Sequence, residues 1–137
     1  MRNSLVIVLL LLIVNIANAK DKTYLTEKHQ EALVWFESNP NEYAFAGNRF
    51  NDSKAAIEFV KKLYKEGAIK VYVMGIRDED WRIKSEGGPY ADTLIITLPQ
   101  NKKQREVLFK THANEIATQG LSMEKDINQK ELLYWWD

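Results

Sequence analysis

Two segments with a period of two residues constrain the fold of this chain most. They are Ala68 to Ile76 and Ala91 to Leu98. The recurring apolar residues are Ile69, Val71 and Val73 in the first segment and Leu94, Ile96 and Leu98 in the second. This is the period of a β-strand. The intervening Arg77 to Tyr90 is charged and ends in Gly87-Gly88-Pro89, which suits a sharp reversal. The sequence therefore predicts a β-hairpin.

Two amphipathic segments predict helices beside these strands. Ser53 to Glu66 and Lys102 to Thr118 both repeat apolar residues at intervals of three and four, and Gly67 follows the first. This spacing is typical of a helix that packs on one face, and glycine commonly ends a helix. The aromatic-rich Glu42 to Phe50 and the C-terminal Glu131 to Asp137 predict two further strands.

The predicted order of elements is strand, helix, strand, strand, helix, strand. This is the order of the ferredoxin-like βαββαβ fold, in which two helices cover one face of a four-stranded antiparallel sheet. We therefore predict an α+β domain of this kind over residues 42–137. Residues 20–41 precede it as an N-terminal segment with an amphipathic helix, predicted from Glu27 to Ser38.

Residues 1–19 have the pattern of a secretory signal peptide. Arg2 precedes an apolar run from Leu5 to Ile16, and the small residues Ala17-Asn18-Ala19 follow. The run is shorter than the roughly 20 apolar residues that span a bilayer, which favours cleavage over a retained membrane anchor. We expect an exported protein, periplasmic or secreted, without a stable membrane anchor once the signal is removed.

The composition narrows the classes of function. The sequence has no cysteine, so an exported domain must be stable without disulfides, and Cys-ligated metal sites are excluded. The about 118 residues after the signal suffice for one hydrophobic core. They carry 18 basic and 19 acidic residues, a formal charge of −1. This balance argues against a nucleic-acid partner, because such partners usually go with a basic excess.

A rim of aromatic and charged side chains is the leading candidate for a functional site. In the predicted topology, the end of the first hairpin strand, the start of the second and the C-terminus meet at one end of the sheet. The candidate binding residues there are Trp81, Tyr90, Asp92, Trp135 and Trp136. Small-ligand and protein-contact sites combine flat apolar surfaces with charge in this way. Burial of the same aromatics under the long loop is the alternative.

Two other segments of the sequence contain residues that could hold an anion. A glycine-rich phosphate cradle requires a helix after the loop, but a strand follows Gly87-Gly88-Pro89, which favours a turn. An alternative anion pocket would lie at the opposite end of the sheet, where Asn48 and Arg49 are near two predicted helix starts. Arg49 could equally form a surface ion pair or stack on Phe50.

Catalysis is the rival to binding. Asp78, Asp80 or Asp92 with Tyr90 or His112 would suit a small hydrolase if these groups converged in a cleft and one had a strongly perturbed pKa. We expect instead that Asp92 accepts a backbone N–H of the preceding turn, and that His112 is a neutral imidazole bound to a carbonyl. The two histidines lack a metal-binding spacing, so neither a metal nor another cofactor is predicted.

Four stretches, FAGNRF, AIEFVKKLYKEGA, GGPYADTLIITLP and WWD, resemble an uncharacterised group of small exported bacterial proteins. The resemblance spans residues 43–137. The resemblance implies a folded bacterial domain, and it indicates no particular activity, cofactor or partner. The sequence therefore predicts a non-catalytic binding or protein-interaction module for a protein or a small ligand, with the small hydrolase as the alternative.

Overall fold

The computed structural model describes residues 23–136, so the predicted signal peptide lies outside the described residues. The elements in chain order are β1 (His29–Glu31), α1 (Ala32–Glu37), α2 (Ser53–Lys65), β2 (Lys70–Met74), α3 (Asp80–Glu86), β3 (Thr93–Thr97), α4 (Lys102–Ala117) and β4 (Glu131–Trp135). Within residues 23–136, no helix has the length and apolar character needed to cross a membrane.

The four strands form one antiparallel sheet in the order β1-β2-β3-β4. The predicted hairpin is present, because Val73 of β2 lies opposite Leu94 of β3. β4 pairs with the other side of β3 and places Tyr134 opposite the same Leu94. The predicted α+β class with a four-stranded antiparallel sheet is therefore confirmed.

The ferredoxin-like order of strands is not confirmed, and the first strand accounts for the difference. Glu42–Phe50, predicted as a strand, is a loop with one parallel bridge between Phe45 and Ala91. Its backbone finds a side-chain partner, since the Ala44 N–H donates to Ser53 Oγ over 3.0 Å. The sheet takes its first strand from β1 instead, inside the segment for which the sequence predicts a helix.

The core lies between one face of the sheet and the helices. Val73, Leu94 and Tyr134 are cross-strand neighbours on this face, and each is fully buried. Phe59 of α2 and Leu108 of α4 belong to the same buried cluster, as do the aromatic side chains of α1. Burial of this apolar face against helices is the main stabilising contribution expected for such a two-layer arrangement.

Capping residues fix the starts of the two long helices. The Asp52 side chain accepts the Ala55 N–H at the start of α2, and the Asn101 side chain accepts the Gln104 N–H at the start of α4. The sequence predicts both helices correctly. α3 has no side-chain hydrogen bond at its start, and it lies in the segment for which the sequence predicts only a turn-prone loop.

Candidate binding groove

Between β2 and β3 the chain leaves the sheet as an excursion, which we define as residues 78–89. Arg77 and Tyr90 close its base by exchanging two backbone hydrogen bonds of 2.9 and 3.0 Å. α3 occupies most of the excursion, and all its residues are exposed except Arg82, which is half-buried. Trp81 is 58% exposed. The excursion is thus held by its base and by polar contacts more than by apolar packing.

Arg82 organises the inner side of α3. Its Nε donates to Glu79 Oε2 over 2.9 Å, and its Nη1 donates to Glu86 Oε2 over 3.2 Å. The hydrogen bond with Glu79 raises the pKa of Arg82 and lowers the pKa of Glu79. The guanidinium carbon also lies 4.5 Å from the ring centroid of Trp81 and 5.9 Å from that of Tyr90. Its positive charge is therefore balanced within the site.

The loop of residues 39–43 forms the facing wall, and side-chain amides hold it in place. Asn39 Nδ2 donates to the Pro89 carbonyl over 3.0 Å, and Asn39 Oδ1 accepts the Asn41 N–H. Asn41 Oδ1 in turn accepts the Tyr43 N–H over 2.9 Å. Such local side-chain bonds fix a loop without regular secondary structure. They hold the backbone of Tyr43 while its side chain remains mostly exposed.

Gly87 and Gly88 connect α3 to the facing wall, and glycine is favoured at each of the two positions for a different reason. Gly87 ends α3 with a φ of 87°, a left-handed conformation that favours glycine. Gly88 is buried, and a Cβ there would overlap the Asn39 side-chain oxygen. The first glycine is required by backbone conformation and the second by close approach. Gly87-Gly88-Pro89 is therefore a turn, as the sequence predicts, and Gly88 packs on the loop of residues 39–43.

Two adjoining clefts lie beside the loop of residues 39–43. The first has a volume of about 470 Å³ and separates the loop from α3. Its lining residues are Asn41, Tyr43, Arg82, Ser85, Glu86 and Tyr90. The second, of about 420 Å³, separates the loop from α1 and the start of α2, and it shares Asn41 and Tyr43 with the first. We call the two clefts together the groove.

The structure brings together two of the predicted aromatic rim residues, Trp81 and Tyr90. Arg82 lies close to both rings, so the three side chains form one continuous surface. The Tyr90 hydroxyl also accepts the Gly47 N–H over 3.1 Å, which leaves its proton available to donate. Tyr90 is the predicted rim residue that lines the groove directly.

Asp92 lies beside this surface but has different partners from those predicted. Arg77 Nη2 donates to Asp92 Oδ2 over 3.2 Å, and the Thr93 hydroxyl donates to Asp92 Oδ1 over 3.0 Å. The Arg77 guanidinium lies 5.9 Å from the Tyr90 ring centroid. The side chain of Asp92 is only 16% exposed. The hydrogen-bond donors to the Asp92 carboxylate are thus a cation and a hydroxyl, whereas the sequence predicts a backbone N–H.

The prediction that Trp136 belongs to the rim is wrong, whereas Trp135 is partly exposed at the end of β4. Trp136 is 1% exposed, and its ring packs against Phe45 and Phe50 in the core. The register of β4 explains this, because Trp136 follows Tyr134 by two residues and so shares its buried face. Trp135 projects from the opposite face, across from Thr93, and is 38% exposed. Neither residue lines the groove.

The predicted anion pocket at Asn48 and Arg49 is occupied by the protein's own carboxylate. Arg49 Nε and Nη2 donate to both oxygens of Glu115 over 2.9 and 2.8 Å. Its guanidinium carbon lies 4.6 Å from the Phe50 ring centroid. Glu115 belongs to the last turn of α4, not to its start. Asn48 is exposed beside this pair, and the ion-pair and stacking alternative describes Arg49.

The carboxylates that the sequence offers for hydrolysis do not pair with one another. Asp78 forms an ion pair with Lys28, and Asp92 forms one with Arg77. Asp80 is exposed at the start of α3. The hydrogen bond from Lys28 lowers the pKa of Asp78, whereas a general acid that works near neutral pH requires a raised one. These groups do not assemble an acid–base pair.

The histidines occupy positions unrelated to the groove. His112 Nε2 bonds the Leu133 carbonyl over 2.7 Å, as the sequence predicts, and its ring packs edge-on against Tyr134. His29 is exposed in β1 and bonds the Glu27 carbonyl. Over the described range 23–136, no group of three or more His, Asp or Glu side chains could hold a metal ion.

The sequence does not reveal most of the groove. The pattern of Glu42 to Phe50 predicts a strand at Tyr43, and Asn39-Pro40-Asn41 predicts only the end of a helix. The one usable signal was the pair of asparagines around Pro40, because asparagine favours turns in which its side chain bonds the backbone. That signal indicates an ordered loop, but the contact between Asn39 and Pro89 joins residues 50 positions apart.

Comparison with known proteins finds no matching family model, curated protein or solved structure. The resemblance to small exported bacterial proteins therefore stays a prediction. Function has to be inferred from the groove itself.

Proposed function

We propose that the protein is an exported, non-catalytic binding module that holds a small polar ligand in the groove. The observation that carries this proposal is the first cleft, with its volume of about 470 Å³. Small-molecule sites typically have volumes of about 300–1,000 Å³ and combine apolar walls with a few polar groups. Tyr43 and Tyr90 supply the apolar walls, and Asn41, Ser85 and the Arg82–Glu86 pair line the same space.

The construction of the two walls supports binding. The loop of residues 39–43 is fixed by the amide bonds of Asn39 and Asn41, so it presents Tyr43 with little ordering cost. On the other wall, the Arg82 side chain that lines the first cleft lies 4.5 Å from the ring centroid of Trp81, which is 58% exposed. Apolar surface that a fold leaves exposed next to a concave site is available for a ligand to cover.

Among residues 23–136, the separation of the candidate carboxylates supports a non-catalytic role. Asp78 and Asp92 are committed to Lys28 and Arg77, and the pKa of Asp78 is lowered. The export part of the proposal depends on the signal-peptide pattern of residues 1–19.

Chemical-shift mapping with the ¹⁵N-labelled protein tests the proposal. Three classes of small ligand are titrated separately: neutral sugars, organic amines and phosphates. We expect at least one class to shift the amides within residues 39–43 and 82–90 saturably, and Tyr43→Ala to need an about tenfold higher ligand concentration for the same shifts. Met123→Ala is the control, because Met123 is 69% exposed and Tyr43 is 67% exposed. Titrations that never shift the groove, or equal loss in both variants, would refute the proposal.

A further inference from the structure

The two clefts suit a ligand that is longer than one ring. Asn41 and Tyr43 line both, so the mostly exposed Tyr43 side chain is a ridge between two neighbouring spaces of similar size. Each space is large enough for a six-membered ring with its substituents. A chain of linked units could place one unit on each side of Tyr43.

The charges of the first cleft oppose an anionic ligand. The lining residues include the carboxylates Glu42, Asp52 and Glu86 and the cations Lys54 and Arg82. Arg82 is already shared between two carboxylates, since Glu79 also binds it. In the first cleft, a phosphate or carboxylate ligand would therefore meet Glu86 and an arginine that two carboxylates already share. In the second cleft, Lys54 faces such a ligand together with Glu42 and Asp52.

Two aromatic rings at the first cleft, those of Tyr90 and Trp81, are also poorly suited to a ligand cation. A cation gains energy over the face of an aromatic ring, but the ring of Tyr90 already has the guanidinium groups of Arg77 and Arg82 each within 5.9 Å of its centroid. Arg82 likewise lies 4.5 Å from the Trp81 ring centroid. A further cation would be repelled by these charges.

We propose that the groove binds a neutral oligosaccharide, with successive sugar rings on the two sides of Tyr43. This inference rests on the proposed function and names the class of its ligand. A sugar ring presents a C–H face that packs on an exposed aromatic side chain such as Tyr43. Its adjacent hydroxyls can donate to Glu86 and accept from Arg82, and such charge-assisted bonds are the stronger kind. No charge has to be compensated on binding.

Titration calorimetry and chemical-shift mapping of the folded protein test the inference. The probes are tetrasaccharides of glucose, N-acetylglucosamine and mannose, with the monosaccharides, tetralysine and inorganic phosphate as the other arms. We expect a neutral tetrasaccharide to shift Asn41, Lys54 and Ser85 together and to bind at least about tenfold more tightly than its monosaccharide. Tyr43→Ala should weaken binding about tenfold, and Met123→Ala should leave it unchanged.

The different probes distinguish failure of the saccharide inference from failure of the proposed binding function. If no tetrasaccharide shifts the groove and tetralysine or phosphate does, the saccharide inference is overturned while the binding function stands. If none of the probes shifts the groove, both are overturned. A tetrasaccharide that binds no more tightly than its monosaccharide, or that binds Tyr43→Ala as well as the wild type, also contradicts the inference.

Discussion

The end of β4 and the excursion of residues 78–89 contain the same kinds of side chain in opposite surroundings. Each has a tryptophan beside an arginine–glutamate pair: Trp136 with Arg49 and Glu115, and Trp81 with Arg82 and its carboxylates. Trp136 is 1% exposed and Trp81 is 58% exposed. The same residue types therefore serve the core in one region and remain available to a ligand in the other.

Burial explains why the polar groups have different roles in the two regions. Trp136 Nε1 donates to Glu115 Oε2 over 3.1 Å, because a buried indole N–H without a partner would cost free energy. Around Trp81, by contrast, water can solvate the polar groups that the protein leaves unpaired, so the groups of the excursion could exchange partners with the proposed ligand. Stability and binding should therefore respond separately to mutation in the two regions.

The largest effect is expected for Trp136→Ala. Its ring contacts Phe45, Phe50 and Phe59 with centroid separations of 5.5–5.8 Å, and deleting such a side chain leaves a cavity. We expect a loss of about 3–5 kcal/mol in the free energy of unfolding. Trp81→Ala should cost less than about 0.5 kcal/mol. Urea denaturation of both variants measures the two losses. Similar losses of unfolding free energy would contradict the proposed difference between the two regions.

Glu115→Gln should give the next largest effect. It removes a carboxylate that accepts two hydrogen bonds from Arg49 and one from Trp136. Hydrogen bonds to charged groups contribute about 1.5–3 kcal/mol each, and we expect a total loss in that range. Glu86→Gln on the excursion should leave the urea midpoint unchanged, because its partner Arg82 also retains Glu79. A larger loss for Glu86→Gln would reverse the assignment of roles.

Glu115 should also make the free energy of unfolding depend on pH. Burial raises the pKa of Glu115, but hydrogen bonds from Arg49 and Trp136 together outweigh this and lower it below the ordinary value of 4.5. A carboxyl of this kind stabilises the fold above its unfolded pKa, and the contribution is lost as the pH falls through the folded pKa. Between pH 7 and about pH 3.5, Glu115→Gln should therefore lose less stability than the wild type. Identical pH dependence in urea denaturation would contradict this assignment.

The two glycines of the turn should give a smaller effect, confined to the groove. Gly88→Ala should cost about 1–3 kcal/mol, because the new Cβ displaces Asn39 from its bonds with Pro89 and Asn41. Gly87→Asn should cost less than about 1 kcal/mol, because asparagine tolerates the left-handed conformation. The amide shifts of Gly88→Ala should concentrate in residues 39–43 and 78–89. Shifts that extend to Trp136 would show that the two regions are not independent.

The sequence predicts the hairpin of β2 and β3 well, because apolar residues recur at every second position of both strands. It does not predict which face of β4 is buried, since Leu132 to Trp136 are all apolar or aromatic and show no alternation. Only the pairing of Tyr134 with Leu94 decides the face. β1 is equally hard to predict, because its residues His29–Glu31 are polar and its strand conformation comes from pairing with β2.

The groove is less predictable than the sheet for a related reason. Trp81 and Tyr90 were identifiable as aromatics in a charged loop, but Tyr43 joins them only through tertiary contacts. Asn39 bonds Pro89 across 50 positions, and Gly88 allows the close approach between the two walls. Long-range contacts of this kind leave no periodic pattern in the sequence.

The indole N–H resonances of Trp81 and Trp136 give the most direct test of the contrast between the two regions. They are followed in ¹⁵N–¹H spectra while a neutral tetrasaccharide is added to the folded protein. We predict that the Trp81 resonance shifts saturably, because its ring borders the groove through Arg82, and that the buried Trp136 resonance stays in place. A saturable shift of Trp136 without a shift of Trp81 would contradict the account.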